Sequence, residues 1–133
     1  MGTGLILTRG AIAAVCNAAA AVHPREACGL LLGKGRAVHE ATVAANVHAD
    51  PARHFEIDPA ALIAAHRAAR GGGAQVLGYW HSHPNGRPGP STEDQAAAAG
   101  DGRVWLIVAS GAITVWVDAP DGFMPLPYTI TDG

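Results

Sequence analysis

Between the glycine triplet Gly71-Gly72-Gly73 and the turn Pro84-Asn85-Gly86 stands a short segment, Ala74 to His83, that reads AQVLGYWHSH. It is brief, dense in apolar and aromatic side chains, and closed at both ends by residues that interrupt regular structure, so it reads as a buried strand. A buried strand obliges the rest of the chain to supply a sheet. ACGLLLG at residues 27–33 is continuously apolar, and beyond the Gly33-Lys34-Gly35 turn the stretch from Arg36 to Asn46 is rich in Val and Ala, which predicts a hairpin. VWLIVAS and AITVWVD, joined at Ser110-Gly111, predict two more strands, and Tyr128 to Thr131 a last one at the edge.

Three helices are expected around these strands. Thr8 caps the first, in which Ile12, Val15, Cys16, Ala19 and Val22 recur at helical spacing before His23-Pro24 stops it. Asp58 followed by Pro59 opens the second, which runs to Arg70 and ends at the glycine triplet. Ser91 with Asp94 three residues on resembles a capping box and opens a short third helix through Ala99, closed by Gly100-Asp101-Gly102. The predicted class is α/β (α+β), a single mixed β-sheet flanked by helices, with the first two helices in one layer.

The 133 residues are 49% hydrophobic and 15% charged, which suits one ordinary domain over residues 1–133. A formal net charge of −2 offers no source for phosphate attraction, so no nucleic-acid partner is expected. Cys16 and Cys28 form no CxxC and read as reduced core thiols. The apolar stretch from Ala11 to Val22 is too short to span a bilayer and follows a single positive charge, so no membrane partner is expected and the predicted compartment is the cytoplasm.

The chemistry gathers where the buried strand ends. Side chains at i and i+2 of a strand share a face, so His81 and His83 present two imidazoles together. Asp94, in the first turn of the next helix, can supply an oxygen. Two nitrogens and one carboxylate make the three-ligand set of a catalytic zinc site, which keeps a fourth position for water and lowers that water's pKa. An HxH pair beside a loop also arises without a metal, and Ser91 and Asp94 could be only a helix cap; the joint pattern of HxH, seven residues, Ser, two residues, Asp favours the metal. The carboxylate that takes the proton is left open among Glu26, Glu56, Asp58 and Glu93. The remaining histidines (His23, His39, His48, His54, His66) read as surface or satisfied polar groups, and Trp80, Trp105 and Trp116 as packing residues.

HSHPNGRPGPSTED at residues 81–94 resembles the signature of the JAMM, or MPN-plus, metalloproteases, with both histidines, the serine and the aspartate at family spacing. EACGLLLG at residues 26–33 and FEIDP at residues 55–59 are similar to two further family segments, and no motif position departs. The resemblance implies the cytidine-deaminase-like MPN architecture of a compact prokaryotic member, with Zn2+ on His81, His83 and Asp94. It implies Glu26 as general base and Ser91 as hydrogen-bond donor to the oxyanion. It further implies a deubiquitinase-like metallopeptidase, or isopeptidase, hydrolysing the amide bond after the Gly-Gly tail of a ubiquitin-like or sulfur-carrier protein. The alternatives are a RadC-like protein associated with DNA repair, which would carry a basic surface, and a non-catalytic MPN scaffold, which would lack ligands. Neither the oligomeric state nor the particular substrate is legible.

Overall fold

The computed structural model describes residues 4–133. Thr8 closes strand β1 (Leu5–Thr8) and at once opens helix α1 (Arg9–Val22): its backbone is extended while its hydroxyl oxygen accepts from the Ala11 N–H at 3.1 Å. β2 (Cys28–Lys34) and β3 (Ala37–Ala44) form the expected antiparallel hairpin. Asp58 caps α2 (Pro59–Arg70), its carboxylate accepting from the Ala60 N–H at 3.0 Å. There follow β4 (Gln75–Ser82), α3 (Thr92–Ala97), β5 (Val104–Ala109), β6 (Ala112–Ala119), β7 (Gly122–Pro125) and β8 (Tyr128–Thr131).

The strands make one mixed sheet in the order β7-β6-β5-β4-β2-β3-β1-β8, with β4–β5, β1–β3 and β1–β8 parallel and the other pairs antiparallel. β8 pairs with β1, yet the Leu126 N–H just before it donates to the Val115 carbonyl of β6 at 2.8 Å. The two ends of the sheet therefore approach each other, and the sheet curls around α1.

One core cluster joins Leu7, Val15, Leu31, Val38, Trp80, Leu106 and Val108; a second joins Cys28, Leu30, Ile57 and Val76 with half-buried Leu62 and Tyr79. Leu30 and Leu31 fall in different clusters, as do Tyr79 and Trp80, because successive side chains of a strand point to opposite faces. α1 covers one face and α2 the other, so the expectation of both helices in one layer is corrected. The reason lies in β2 itself: Cys28, Leu30 and Leu31 are buried and apolar on both faces, and each face needs its own cover.

Two strands were not expected, β1 and β7, both of four residues. α3 ends at Ala97, short of Ala99, because Ala98 takes extended backbone angles. Among the described residues no helix is long and apolar enough to cross a membrane.

Candidate metal centre

β4 delivers the first candidate donor. His81 stands opposite Cys28 of β2 and Ile107 of β5, so both neighbouring strands fix its backbone. His83 lies one residue past the strand, but its N–H still donates to the Val108 carbonyl at 2.8 Å. The two-residue spacing points both rings away from α1, onto the face that Trp80 does not share. His81 is fully buried, with Phe55 stacked on its ring at 4.2 Å between centroids and Trp105 edge-on at 5.7 Å.

The loop after β4 is pinned before it reaches α3. The His83 Nδ1–H donates to the Arg87 carbonyl at 2.7 Å, and the Thr114 hydroxyl of β6 donates to the Pro88 carbonyl at 2.6 Å. α3 then opens on a reciprocal capping box: the Asp94 N–H donates to Ser91 Oγ at 2.9 Å, and the Ser91 N–H donates to Asp94 Oδ2 at 2.9 Å. That box aims the Asp94 carboxylate back over the end of β4.

Three donor atoms converge there. His81 Nε2, His83 Nε2 and Asp94 Oδ2 are each 3.0 Å from the other two, and all three side chains are buried. With the His83 proton committed to Nδ1, the neutral ring turns the lone pair of Nε2 inward. Lone pairs of two nitrogens and a carboxylate oxygen facing one point repel unless a proton or a cation stands between them. Zinc–nitrogen and zinc–oxygen bonds of about 2.0–2.2 Å let one ion reach all three, so the donor set fits zinc.

Without an ion, a proton on an imidazole Nε2, shared with Asp94 Oδ2, stands in that place instead. Burial pulls the His81 imidazole below its ordinary pKa, which keeps it neutral and available. Burial also pulls on His83, but in that ion-free arrangement its Nε2–H donating to Asp94 and its Nδ1–H donating to the Arg87 carbonyl, together with the charges of Asp94 and Glu26, raise it overall. Burial would raise Asp94, yet its hydrogen bonds to the two imidazoles outweigh that and hold the carboxyl well below the usual carboxylate range.

Glu26 sits just ahead of β2. The Ser82 N–H donates to the Ala27 carbonyl at 3.0 Å and Ser82 Oγ accepts from the Ala27 N–H at 2.8 Å, which carries the pairing of β2 with β4 one step further and sets Glu26 beside His83. The carboxyl is buried and its Oε1 has no hydrogen-bond partner. Burial pushes it up to about 7, His83 opposing this and Asp94, Glu93 and Asp50 adding to it. Glu26, His83 and Ser91 line one cavity of about 670 Å³, whose walls also carry Arg53, Arg87 and Glu93. Of the other carboxylates left open by the sequence, Glu93 lines the cavity as an exposed side chain and Glu56 is exposed on the segment before α2. Asp58 is spent on the cap of α2.

Other candidates fall outside the site. Trp80 is buried on the α1 face and donates from Nε1 to the Thr42 carbonyl at 2.8 Å. His48 and His54 stack on each other at 4.6 Å. Cys16 and Cys28 are free thiols; burial, with the Glu26 charge added, pushes Cys28 up to about 12. Phe55 and Trp105, which wall off His81, were not read from the sequence as site residues, since nothing periodic links residue 55 or 105 to residue 81.

The family described as prokaryotic homologs of the JAB domain matches residues 8–120. A desampylase of Haloferax volcanii is 34% identical over 110 residues, which cover 80% of this chain and 79% of that protein. A probable TtuB-protein conjugate cleaving protease of Thermus thermophilus is 38% identical over 71 residues, 53% of this chain and 47% of that protein. Among solved structures, a protein from Desulfitobacterium hafniense superposes with a TM-score of 0.85 at 27% identity, covering 97% of this chain and 94% of that one.

Proposed function

From the premise that this chain belongs to the family of prokaryotic JAB-domain homologs, we propose that it is a zinc metallopeptidase of the cytoplasm that hydrolyses the amide bond after the Gly-Gly tail of a ubiquitin-like or sulfur-carrier protein. In this reading His81, His83 and Asp94 hold the metal, Glu26 carries the proton and Ser91 stabilises the developing oxyanion. One observation carries it: a buried, unpartnered carboxyl with a pKa of about 7 shares a cavity with His83, one of three donors that meet 3.0 Å apart.

Zinc held by His81, His83 and Asp94 would supply Lewis acidity toward an amide carbonyl and toward water at neutral pH. Glu26 then does the proton work. Its pKa lies near neutrality, where a group takes a proton from water and gives it up again to a leaving amine with comparable ease. Ser91 Oγ accepts from the Asp94 N–H, which leaves the hydroxyl hydrogen free to donate into the cavity. Such a donor lowers the barrier only if it strengthens as negative charge grows on the carbonyl oxygen. Phe55 and Trp105 keep water from the far side of His81 and so strengthen these interactions.

Two relatives support the substrate class, one a desampylase and one a probable protease of TtuB–protein conjugates. A tail ending in two glycines has no side chains to collide with the cavity wall and can approach in an extended form held by main-chain hydrogen bonds.

The decisive experiment is metal analysis of the purified protein beside His81→Ala, coupled to cleavage of an isopeptide between a Gly-Gly-ended ubiquitin-like protein and a labelled lysine peptide, with and without chelator. One zinc per chain, lost in the variant, and chelator-sensitive cleavage are expected. Wild-type protein that binds no metal would overturn the reading of the donor set, and cleavage indifferent to chelator would overturn the mechanism.

A further inference from the structure

Glu26 has no ladder of its own: it precedes β2, and its side chain makes no hydrogen bond through Oε1. Its placement comes from the backbone. The Glu26 N–H donates to the Pro51 carbonyl at 2.7 Å, and the Glu26 carbonyl accepts from Asn46 Nδ2 at 2.9 Å. Both partners belong to the irregular segment 45–58 between β3 and α2, the same segment that brings Arg53 to the cavity wall.

Asn46 holds that segment together. Nδ2 donates to the Glu26 carbonyl and, at 3.0 Å, to the His54 carbonyl; Oδ1 accepts from the His48 and Glu56 N–H groups, each at 3.1 Å. A primary amide has two donors and two acceptor lone pairs, and here all four are used. Two carbonyls on one side and two N–H groups on the other also fix which end is nitrogen. Beside it, the Val47 N–H donates to the Glu56 carbonyl at 2.9 Å and the Asp58 N–H to the Ala45 carbonyl at 3.1 Å, so the base of the segment is closed and Asn46 is its clasp.

We propose that Asn46 is a positioning residue for the reaction, setting the Glu26 carboxyl against the metal centre by clasping segment 45–58 to the Glu26 backbone. The proposal rests on the reading of Glu26 as proton carrier. Catalytic groups must be held within about 0.5 Å of productive geometry, and a carboxyl without a side-chain partner takes that precision from its backbone. No other residue type of this size offers two donors and two acceptors in one plane, so neither Asp nor Ala can replace the clasp.

The test uses Asn46→Asp, which keeps the shape but turns two donors into acceptors facing two carbonyls, and Asn46→Ala, which removes the clasp without adding charge. For either variant, turnover on the labelled isopeptide substrate should fall about 10- to 100-fold with KM within about twofold and one zinc per chain retained, the signature of a misplaced catalytic group. In a Glu26→Gln background the same substitution should cost nothing further, because the group it positions is already disabled. In metal-free protein, the Glu26 and Glu56 amides should exchange with solvent at least about tenfold faster, with Leu30 and Leu31 unchanged. An equal loss of turnover in both backgrounds, loss of zinc along with turnover, or unchanged amide exchange would each overturn the role of Asn46 alone. Wild-type turnover by Glu26→Gln would remove Glu26 from the reaction, and the proposal with it.

Discussion

A carboxyl group that folds into a site where it prefers to be neutral weakens the fold whenever it is charged, and Glu26 is such a group. Its ordinary pKa is 4.5 and the folded value about 7, so between those values the native state binds more protons than the unfolded chain. Stability then falls as pH rises through that window and stays lower above it. Glutamine carries no such penalty. Glu26→Gln should therefore be more stable than the wild type by about 1–3 kcal/mol at pH 8, with little difference at pH 4, when metal-free proteins are compared by urea denaturation. The same substitution should lower turnover by about 10² to 10⁴ while leaving zinc bound. A variant destabilised at pH 8 would show that the carboxylate is structurally favourable and its burial no sign of function. The legibility of the residues divides along this line. His81, His83 and Asp94 follow from the strand period and a capping box, both local rules. Glu26 lies 57 positions before His83 and meets it only through strand pairing, so no local rule selects it and only the family resemblance did. Asn46 was not singled out at all, because four hydrogen bonds to residues 26, 48, 54 and 56 leave no periodic trace.

At the scale of elements, caps and breakers were legible and covering faces were not. Thr8, Asp58 and Ser91 all cap as their chemistry requires. β1 went unseen because Thr8 passes from strand to helix with no intervening turn, and β7 because it is four residues carrying Pro125. The glycines of β2 also have a reason that composition hides. A Cβ on Gly29 would stand 1.8 Å from the Thr42 carbonyl oxygen and 2.5 Å from Trp80 Nε1, which donates to that same oxygen. Gly29→Ala should thus force the β2–β3 ladder apart and break the indole hydrogen bond, costing on the order of 3 kcal/mol or more in thermal unfolding, and a variant melting with the wild type would refute this account of the strand. α3 has six residues and depends on its box. Ser91→Ala should lose about 1 kcal/mol of stability and about 10²- to 10³-fold in turnover, since it removes both the cap acceptor and the free hydroxyl. Ser91→Thr, which keeps both, should restore both; stability restored without turnover would confine Ser91 to capping.

For the molecule as a whole, the three converging donors are buried on the face of the sheet that α1 does not cover. The larger hydrophobic cluster, on the opposite face, is closed by α1 and the curled sheet alone. The centre joins the end of β4 to α3, and a six-residue helix has no stability of its own. Metal removal should accordingly loosen residues 84–98 and leave the sheet and α1 folded, unlike small zinc modules that unfold outright without their ion. Because zinc binds only the native arrangement, free metal at about a thousand times its dissociation constant adds about 4 kcal/mol. For a chain of this length that raises the melting temperature by roughly 10–20 °C. Circular dichroism melts with zinc and with chelator would read the shift, and hydrogen exchange would locate it. Asp94→Ala should melt at one temperature in both conditions. Exchange in the chelated wild type should rise across the loop and α3, with Leu31, Leu106 and Val108 still protected. Loss of protection at those core residues would mean that the metal holds the whole fold together, and an unchanged melting temperature in the wild type would mean that these three side chains bind no ion.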